Sequence, residues 1–374
     1  MIGSPRVSVI MPAYNACHYI GAAIESILGQ SFQDFEFIVI DDGSIDRTLE
    51  IAGSYRDRRI RVLHNPANLR LSATLNRGLD EARTDLIARM DADDIAHPER
   101  LARQVAFMDR NPDVAVLGSA LRRFDNTGAT RSVVMPVSDP DLLRWRHLFS
   151  NQIAHPTVML RRRALEEQGL RFGVVPEWTS QHCDLAHVAH LSEDYLLFGL
   201  LALRCKVTNL PEVLLDMRVH AASVSNVAVD AQLATARRVS GLLFSTIVGH
   251  PVDRTAVNRL YFTGGSVARQ SGMETQAAAQ LLDEAFDATT RRYQPSRRAQ
   301  IALKRDVALR HQVLRAGERS MATRILSLMA GPRFPRDAEE TRLMVRSLVS
   351  ESTVDRLKTL RTAGLTALRG SQRH

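Results

Sequence analysis

From Val7 to Gly118, short apolar runs alternate with segments of helical periodicity. Val7–Met11, Phe35–Ile40, Ile60–Leu63, Leu86–Met90 and Val114–Gly118 are rich in β-branched and aliphatic residues, and each is bounded by turn or polar residues. This is the pattern of buried strands. Between the first two runs, Ile20, Ile24, Ile27 and Leu28 share one face of a helix that Asn15 can cap. Asp46 or Ser44 can cap the next helix, Leu71–Ala82 supplies a third, and Pro98 suits the first turn of a fourth. Alternation at this spacing predicts an α/β fold, a mixed, mostly parallel Rossmann-like sheet flanked by helices. Ligands of such sheets gather at the carboxyl ends of the strands.

The pattern loosens after residue 120. Thr157–Leu160 and Lys206–Leu210 read as strands, Glu193–Leu203 as a helix and Val213–His220 as a closing segment. From Val227 onward the periodicity is helical throughout: Ala231–Val248, Gln276–Tyr293, Arg297–Leu314, Arg319–Ala330 and Ala338–Leu360, interrupted by Gly331-Pro332 and Pro335. Two domains are therefore expected, an α/β domain over 1–226 and a helical, basic region over 227–374. The charge follows the same division. The net charge of +8 arises from 30 Lys and Arg against 34 Asp and Glu in residues 1–290, and 19 against 7 in residues 291–374.

The longest uncharged apolar stretches, Tyr195–Leu203 and Gly241–Gly249, are under half a bilayer span. Val7–Met11 ends at Pro12 with no small-residue cleavage pattern behind it, so no secretory leader is expected. Cys17, Cys183 and Cys205 share no ligand-like spacing, which argues against a disulfide framework. The expectation is a cytoplasmic protein, with peripheral attachment at the inner face of the cell membrane left open by the basic helices.

The strand ends carry the polar chemistry. Strand one ends in Pro12-Ala13-Tyr14-Asn15, strand two in Asp41-Asp42-Gly43-Ser44 and strand four in Asp91-Ala92-Asp93-Asp94, all on one edge of a parallel sheet. The five carboxylates there repel one another unless hydrogen-bond donors or a cation compensate. A hard divalent cation shared with substrate phosphates is the simplest compensation.

Taken in order, Val7-Ser8-Val9-Ile10-Met11-Pro12-Ala13-Tyr14-Asn15, Ile40-Asp41-Asp42-Gly43-Ser44-Ile45-Asp46, Asp91-Ala92-Asp93-Asp94, Glu193-Asp194-Tyr195 and Arg218-Val219-His220 resemble the family 2 glycosyltransferases of GT-A fold, over residues 5–225. The resemblance implies that Pro12, Tyr14 and Asp42 lie at the nucleotide. Asp91-Ala92-Asp93 looks like the family's DXD motif, with Asp91 near the ribose and Asp93 binding Mg2+ or Mn2+ on the diphosphate. Asp91 and His220 join Asp93 at the metal or diphosphate, and Asp94 assists. Asp194 matches the catalytic base, with Glu193 its neighbour. Single displacement with one carboxylate base inverts the anomeric configuration.

Three features depart from the family pattern or lie beside it. Where the family carries Gly in the loop reading Asn68-Leu69-Arg70-Leu71-Ser72, this chain has Arg70, so the loop backbone is open to change and Arg70 is a candidate phosphate contact. No Gln-x-x-Arg-Trp follows Glu193-Asp194; Arg144-Trp145 lies upstream, with Asp141 at the Gln position. Processive members carry that motif, so transfer of a single sugar is expected. His182, Cys183, Asp184, His187 and His190 crowd one segment in a spacing that matches no structural zinc pattern. Acceptor recognition and a solvated loop are its other readings. His155-Pro156-Thr157 matches a family element near the acceptor pocket.

The C-terminal helices fall outside the resemblance. Arg297–Leu314 sets Ile301, Val307 and Leu314 among Arg298, Lys304, Arg305 and Arg310, an amphipathic basic face. It suits an anionic bilayer, the catalytic domain or a second copy of the chain in a homo-dimer. Few aromatics stand there, against nucleic-acid stacking.

The expected function is inverting, metal-dependent transfer of one sugar from a nucleotide-sugar, a UDP-sugar before others, to a glycan or lipid-linked glycan in bacterial surface polysaccharide assembly. Two alternatives stand beside it. A sugar nucleotidyltransferase would carry a Gly-rich loop where Pro12-Ala13-Tyr14-Asn15 stands, and a catalytically inactive binding module would not need Asp91, Asp93 and Asp194 intact.

Overall fold

The computed structural model describes residues 5–180, 191–220, 229–261 and 272–316. They fall in two compact units, 1–251 and 252–374, each taken by itself below.

In the first unit the strands are β1 Val7–Ala13, β2 Phe35–Asp41, β3 Ile60–His64, β4 Leu86–Arg89, β5 Ile95–Ala96, β6 Val114–Asp125, β7 Thr130–Val134, β8 Met159–Arg161 and β9 Lys206–Val219. The helices are α1 Ile20–Leu28, α2 Thr48–Ser54, α3 Leu71–Glu81, α4 Arg100–Arg110, α5 Pro140–His147, α6 Arg162–Gln168, α7 Glu177–Ser180, α8 Glu193–Arg204 and α9 Val229–Val248. Together the strands form one mixed sheet in the order β3-β2-β1-β4-β8-β6-β9-β5, with β7 on β6.

Two parallel blocks make up most of this sheet. In the first, β3-β2-β1-β4, Ala13 pairs with Asp41 and Ile10 with Arg89. In the second, β6 and β9 run parallel from Val114–Lys206 to Asp125–Val219. The short β8, antiparallel to β4 and to β6, joins the blocks. Every residue of β1, β2 and β4 is buried, as expected of strands covered on both faces. One layer of core lies between the sheet and α1 and α4, where Ile20, Ile24, Leu101 and Met108 meet Val9, Phe37 and Ala88.

The predicted strands and helices are present with altered ends. Lys206–Leu210 and Val213–His220 join into the single strand β9, whose register on β6 shifts where Pro211 and Glu212 bulge outward. Asn15 does not cap α1. It sits at φ 49°, and its Oδ1 accepts from the Ile45 N–H at 3.0 Å while its own N–H donates to Ser44 Oγ at 2.9 Å. Its polar groups are thus used to tie the end of β1 to the loop after β2. For α2 the cap position falls on Arg47, which offers no side-chain cap; Asp46, one residue earlier, accepts from the Thr48 N–H with Oδ1 at 2.9 Å. Helix α4 starts two residues after Pro98, and Gln30 supplies a remote cap, accepting from the Leu101 N–H at 2.9 Å.

Helix α9 belongs to this first unit. Ser240 Oγ donates to the Leu148 carbonyl at 2.6 Å, and the Phe244 ring meets Phe149 edge-on at 5.2 Å. A Cβ on Gly199 of α8 would stand 2.7 Å from Leu243 Cδ1, so α8 and α9 approach closely there and any larger residue would displace the Leu243 side chain.

The second unit contains α10 Arg254–Leu260, α11 Gly272–Tyr293 and α12 Arg297–Ala316. Ala278, Leu282 and Ala285 are buried on α11, and Leu303, Val313 and Leu314 on α12. Asp283 Oδ1 and His311 Nε2 meet at 2.6 Å between the two helices. Arg310 departs from the basic surface that the sequence predicts: it is buried and paired with buried Asp306 at 2.6 Å, one turn away on the same helix. Arg298, Ile301 and Lys304 remain exposed. The predicted helices Arg319–Ala330 and Ala338–Leu360 lie outside the described residues. No described helix is long and apolar enough to cross a membrane.

Candidate active site

Parallel pairing of β1, β2 and β4 brings their carboxyl ends to one edge, and each end turns into a polar loop. After β2, the Asp42 N–H donates to the Ala13 carbonyl at 2.7 Å. The Asp42 carboxylate is buried, with Oδ1 accepting from Asn65 Nδ2 at 2.7 Å and from the Leu69 N–H at 2.9 Å. Gly43 follows at φ 71°, and a Cβ there would lie 2.6 Å from the Ala67 backbone. Tyr14, Ile45 and Leu69 are exposed apolar side chains from the three loops that surround Asp42. Pro12 is buried within β1, one residue before the β1 end.

Arg70 stands at φ 71°, ψ 163°, a conformation that glycine adopts freely and other residues seldom do. The loop therefore keeps the backbone of a glycine although arginine occupies the position. The Asn68 side chain, accepting from the Arg70 N–H at 2.9 Å, helps to hold it.

The loop after β4 carries the acidic cluster. Ligand oxygens of Asp91, Asp93 and Asp94 lie within 4.8 Å of one another. Asp94 is buried; its Oδ1 accepts from the Arg218 N–H at 2.9 Å, and its Oδ2 is buried without a partner. Burial and the charges of Asp91 and Asp93 push the Asp94 carboxyl well above the usual range. Asp91 is raised by burial too, against the opposing charge of the adjacent Arg89, with which it forms an ion pair. Imidazole Nε2 of His220 stands 3.0 Å from Asp93 Oδ2.

Two buried arginines back the cluster. Arg89 ends β4 with its Nε unpartnered. Arg100 is fully buried, donates to the Arg89 carbonyl at 2.6 Å, and has its pKa lowered to about 9 by burial and by Arg89.

This set of donors fits a hard divalent cation. Three carboxylates converge, one carries a buried oxygen without a partner, and two of the three have a raised affinity for protons that a cation would displace. Asp91, Asp93 and Asp94 would hold it, and His220 reaches the cluster through Asp93.

A second acidic pair opens α8. Glu193 is buried, and burial together with the charge of Asp194 raises its pKa to about 8. Asp194 is also raised by burial, against the lowering effect of its hydrogen bond from the Tyr195 N–H. Its Oδ2 accepts from Asn151 Nδ2 at 2.8 Å. The charges of Arg89 and Asp91 act on both Glu193 and Asp194, so the pair lies within electrostatic reach of the acidic cluster.

His155 packs against Phe172 and Phe198, with Nδ1 at 3.7 Å from Glu193 Oε1. Burial holds its pKa well below the ordinary imidazole value, so it is neutral there.

Sequence reasoning missed Arg89, Arg100 and Asn151. Arg89 has a sequence signal, a charge inside an apolar strand, whereas Asn151 has none. Arg144 and Trp145 are structural: Arg144 donates to Asp141 Oδ1 at 2.8 Å and to the Ala202 carbonyl at 2.7 Å, and Trp145 is fully buried in α5. His182, Cys183, Asp184, His187 and His190 lie outside the described residues.

The glycosyl transferase family 2 model matches residues 8–169. EpsE of Bacillus subtilis is 39% identical over 168 residues, 44% of this chain and 59% of that protein. An uncharacterized glycosyltransferase of Haemophilus influenzae is 32% identical over 252 residues, 64% of this chain and 73% of its own length. The O-antigen biosynthesis glycosyltransferase WbnJ of Escherichia coli is 29% identical over 233 residues, 60% of this chain and 83% of that one. Among solved structures, TarS of S. aureus in complex with UDP-GlcNAc superposes with a TM-score of 0.52 at 21% identity, covering 84% of this chain and 88% of that chain. That likeness is one of fold, with the helices following the GT-A-like sheet. With a Haemophilus relative matched over most of its length and a strand-end site in the family's order, this chain belongs to glycosyl transferase family 2.

Proposed function

We propose that the protein is an inverting, metal-dependent glycosyltransferase that moves one sugar from a nucleotide donor to a glycan or lipid-linked glycan of the bacterial surface. The observation that carries this reading is the convergence of Asp91, Asp93 and Asp94, with Glu193 and Asp194 within their electrostatic reach. WbnJ, matched over most of its length, is named for O-antigen biosynthesis, which supports a surface polysaccharide as the product. A UDP-sugar is the first donor to test, because TarS, of the same fold, is solved with UDP-GlcNAc.

In this reading Tyr14 and Asp42 receive the base between the loops after β1 and β2, beside Pro12, Asp91 lies near the ribose, and Arg70 contacts phosphate. Asp91 and Asp93, with Asp94 beside them, would hold Mg2+ or Mn2+, which when bound would neutralise charge on the leaving diphosphate. Asp194, held by Asn151, accepts the proton of the acceptor hydroxyl as its oxygen attacks the anomeric carbon from the face opposite the diphosphate. Glu193 retains its own proton near neutrality and so adds no second negative charge beside the base. The exposed face of α12, with Arg298, Ile301 and Lys304, serves peripheral contact with an anionic membrane where lipid-linked acceptors are built.

The test is a thermal-shift screen of UDP-, GDP-, dTDP- and CMP-sugars with and without Mn2+, followed by assay of sugar release from the donor that binds. Ligands that bind the native state raise the melting temperature. One nucleotide class is expected to stabilise the protein only with metal and to be hydrolysed slowly. No shift and no release with any donor would refute the reading.

A further inference from the structure

Three elements distant in sequence meet over the acidic cluster. Tyr19 closes the loop between β1 and α1, Phe124 lies near the end of β6, and Arg218 and His220 lie at the end of β9. The guanidinium carbon of Arg218 stands 4.8 Å from the Tyr19 ring centroid and 4.5 Å from that of Phe124. Its Nε donates to the Asp93 carbonyl at 3.0 Å, and its backbone N–H to Asp94 Oδ1 at 2.9 Å. Tyr19 also stacks on His220, with centroids 5.1 Å apart and ring planes 29° apart. The Tyr19 hydroxyl meets Asn126 Nδ2 at 3.4 Å.

These contacts form one connected set. A planar guanidinium against two rings is fixed in orientation, and its edge donors point where the rings direct them, here at the backbone of Asp93. An imidazole stacked on the same tyrosine loses most of its freedom to rotate, and the ring edge that the stack fixes brings Nε2 to 3.0 Å from Asp93 Oδ2. Metal-binding histidines need such outer partners to hold the ring in place.

We propose that Tyr19 and Arg218 are positioning residues of the cation site, an aromatic clamp that fixes His220 and Asp93 as adjacent donors before a cation binds. The proposal rests on reading Asp91-Ala92-Asp93 as a cation site. Tyr19 acts through His220, and Arg218 through the backbone of Asp93 and the carboxylate of Asp94; neither need touch the substrate.

The test titrates the full chain with Mn2+ alone, reading free Mn2+ by electron paramagnetic resonance, with a thermal melt of each variant. Tyr19→Ala and Arg218→Lys are expected to weaken Mn2+ by about 10–100-fold, the loss usual for outer-shell partners. Tyr19→Phe keeps the ring face and stays within about twofold of the wild type, far short of that outer-shell loss. Tyr19→Leu keeps apolar bulk without the face and weakens binding like Tyr19→Ala, which separates stacking from loss of packing. Asp93→Ala serves as the reference. Should Asp93→Ala lose Mn2+ while Tyr19→Ala and Tyr19→Leu bind as the wild type does, the clamp is refuted and the cation site stands. Should the wild type and Asp93→Ala bind Mn2+ equally, the cation reading falls and the clamp with it. Equal losses in Tyr19→Phe and Tyr19→Ala would place the effect in the hydroxyl and overturn the stacking role.

Discussion

Asn151 donates from Nδ2 to Asp194 Oδ2 at 2.8 Å while its own Oδ1 accepts from the Ile153 N–H at 3.1 Å. The amide is thereby oriented by the backbone beyond it and has one way to present its N–H to the carboxylate. Asp194→Asn should lower kcat by about 10²–10⁴-fold, the usual contribution of a positioned base, while leaving donor affinity in place. Turnover near the wild type in a transfer assay would remove Asp194 as the base. Asn151→Leu should move the acid limb of the rate profile to higher pH, because the lost hydrogen bond favoured the charged carboxylate.

Glu193 gives a stability prediction with a definite sign. Its folded pKa is about 8 against an ordinary 4.5, so the carboxyl is protonated in both folded and unfolded chains below the lower value. As pH rises from 4.5 toward 8, the unfolded chain releases the proton and the folded chain keeps it, so folding loses stability across that window. Glu193→Gln removes the titration. Its Tm should match that of the wild type at about pH 4 and exceed it increasingly up to about pH 8, beyond which the gap stays constant. A gap independent of pH in melts across this range would contradict the shift.

Asp93→Ala should abolish the Mn2+-dependent part of donor binding and leave any metal-independent part unchanged. Isothermal titration of the donor with and without Mn2+ separates the two. Donor affinity unchanged in the presence of Mn2+ would break the assignment of this aspartate.

At Arg70 the strained backbone predicts a trade. Replacing it with Gly should relieve strain of about 1–3 kcal/mol, offset in part by the greater freedom of glycine in the unfolded chain. Arg70→Gly should therefore melt higher, and it should bind the nucleotide-sugar more weakly if the guanidinium contacts phosphate. A lower Tm would show that the loop is not strained.

The legible parts of the fold were those encoded locally. The buried strands β1, β2 and β4 are mostly apolar runs, and the amphipathic faces of α1 and α3 repeat with helical period, so short windows reveal them. Long-range register left no such trace. β6 runs on past the predicted Gly118 to Asp125 because β9, some ninety residues later in the chain, pairs along its whole length. Neither strand is marked in sequence as the other's partner. Asn15 was misread for a related reason: an Asn before a helix predicts a cap, but the loop after β2 comes near enough to take its hydrogen bonds. At the site, carboxylates at strand ends were visible because strand ends are visible. Asn151 lies in an irregular segment, and its importance comes only from where Asp194 happens to sit.

The chain leaves β4 at Arg89 and enters β5 at Ile95, yet β8, β6 and β9 lie between those two strands in the sheet. Four strand-to-strand steps would span about 19 Å in a flat sheet, close to the full reach of six extended residues. Because the intervening residues turn rather than extend, the sheet must curl, and Met90 to Asp94 cross the inside of the curve as a strap fastened at both ends. A strap tied in this way has little conformational freedom left to surrender. Its aspartates meet a ligand already ordered, and the ordering cost that a free loop would charge against binding has been met during folding. The same geometry makes the strap intolerant of length change: removal of one residue between Asp91 and Ile95 should unfasten β5 from β9 before it alters any single ligand.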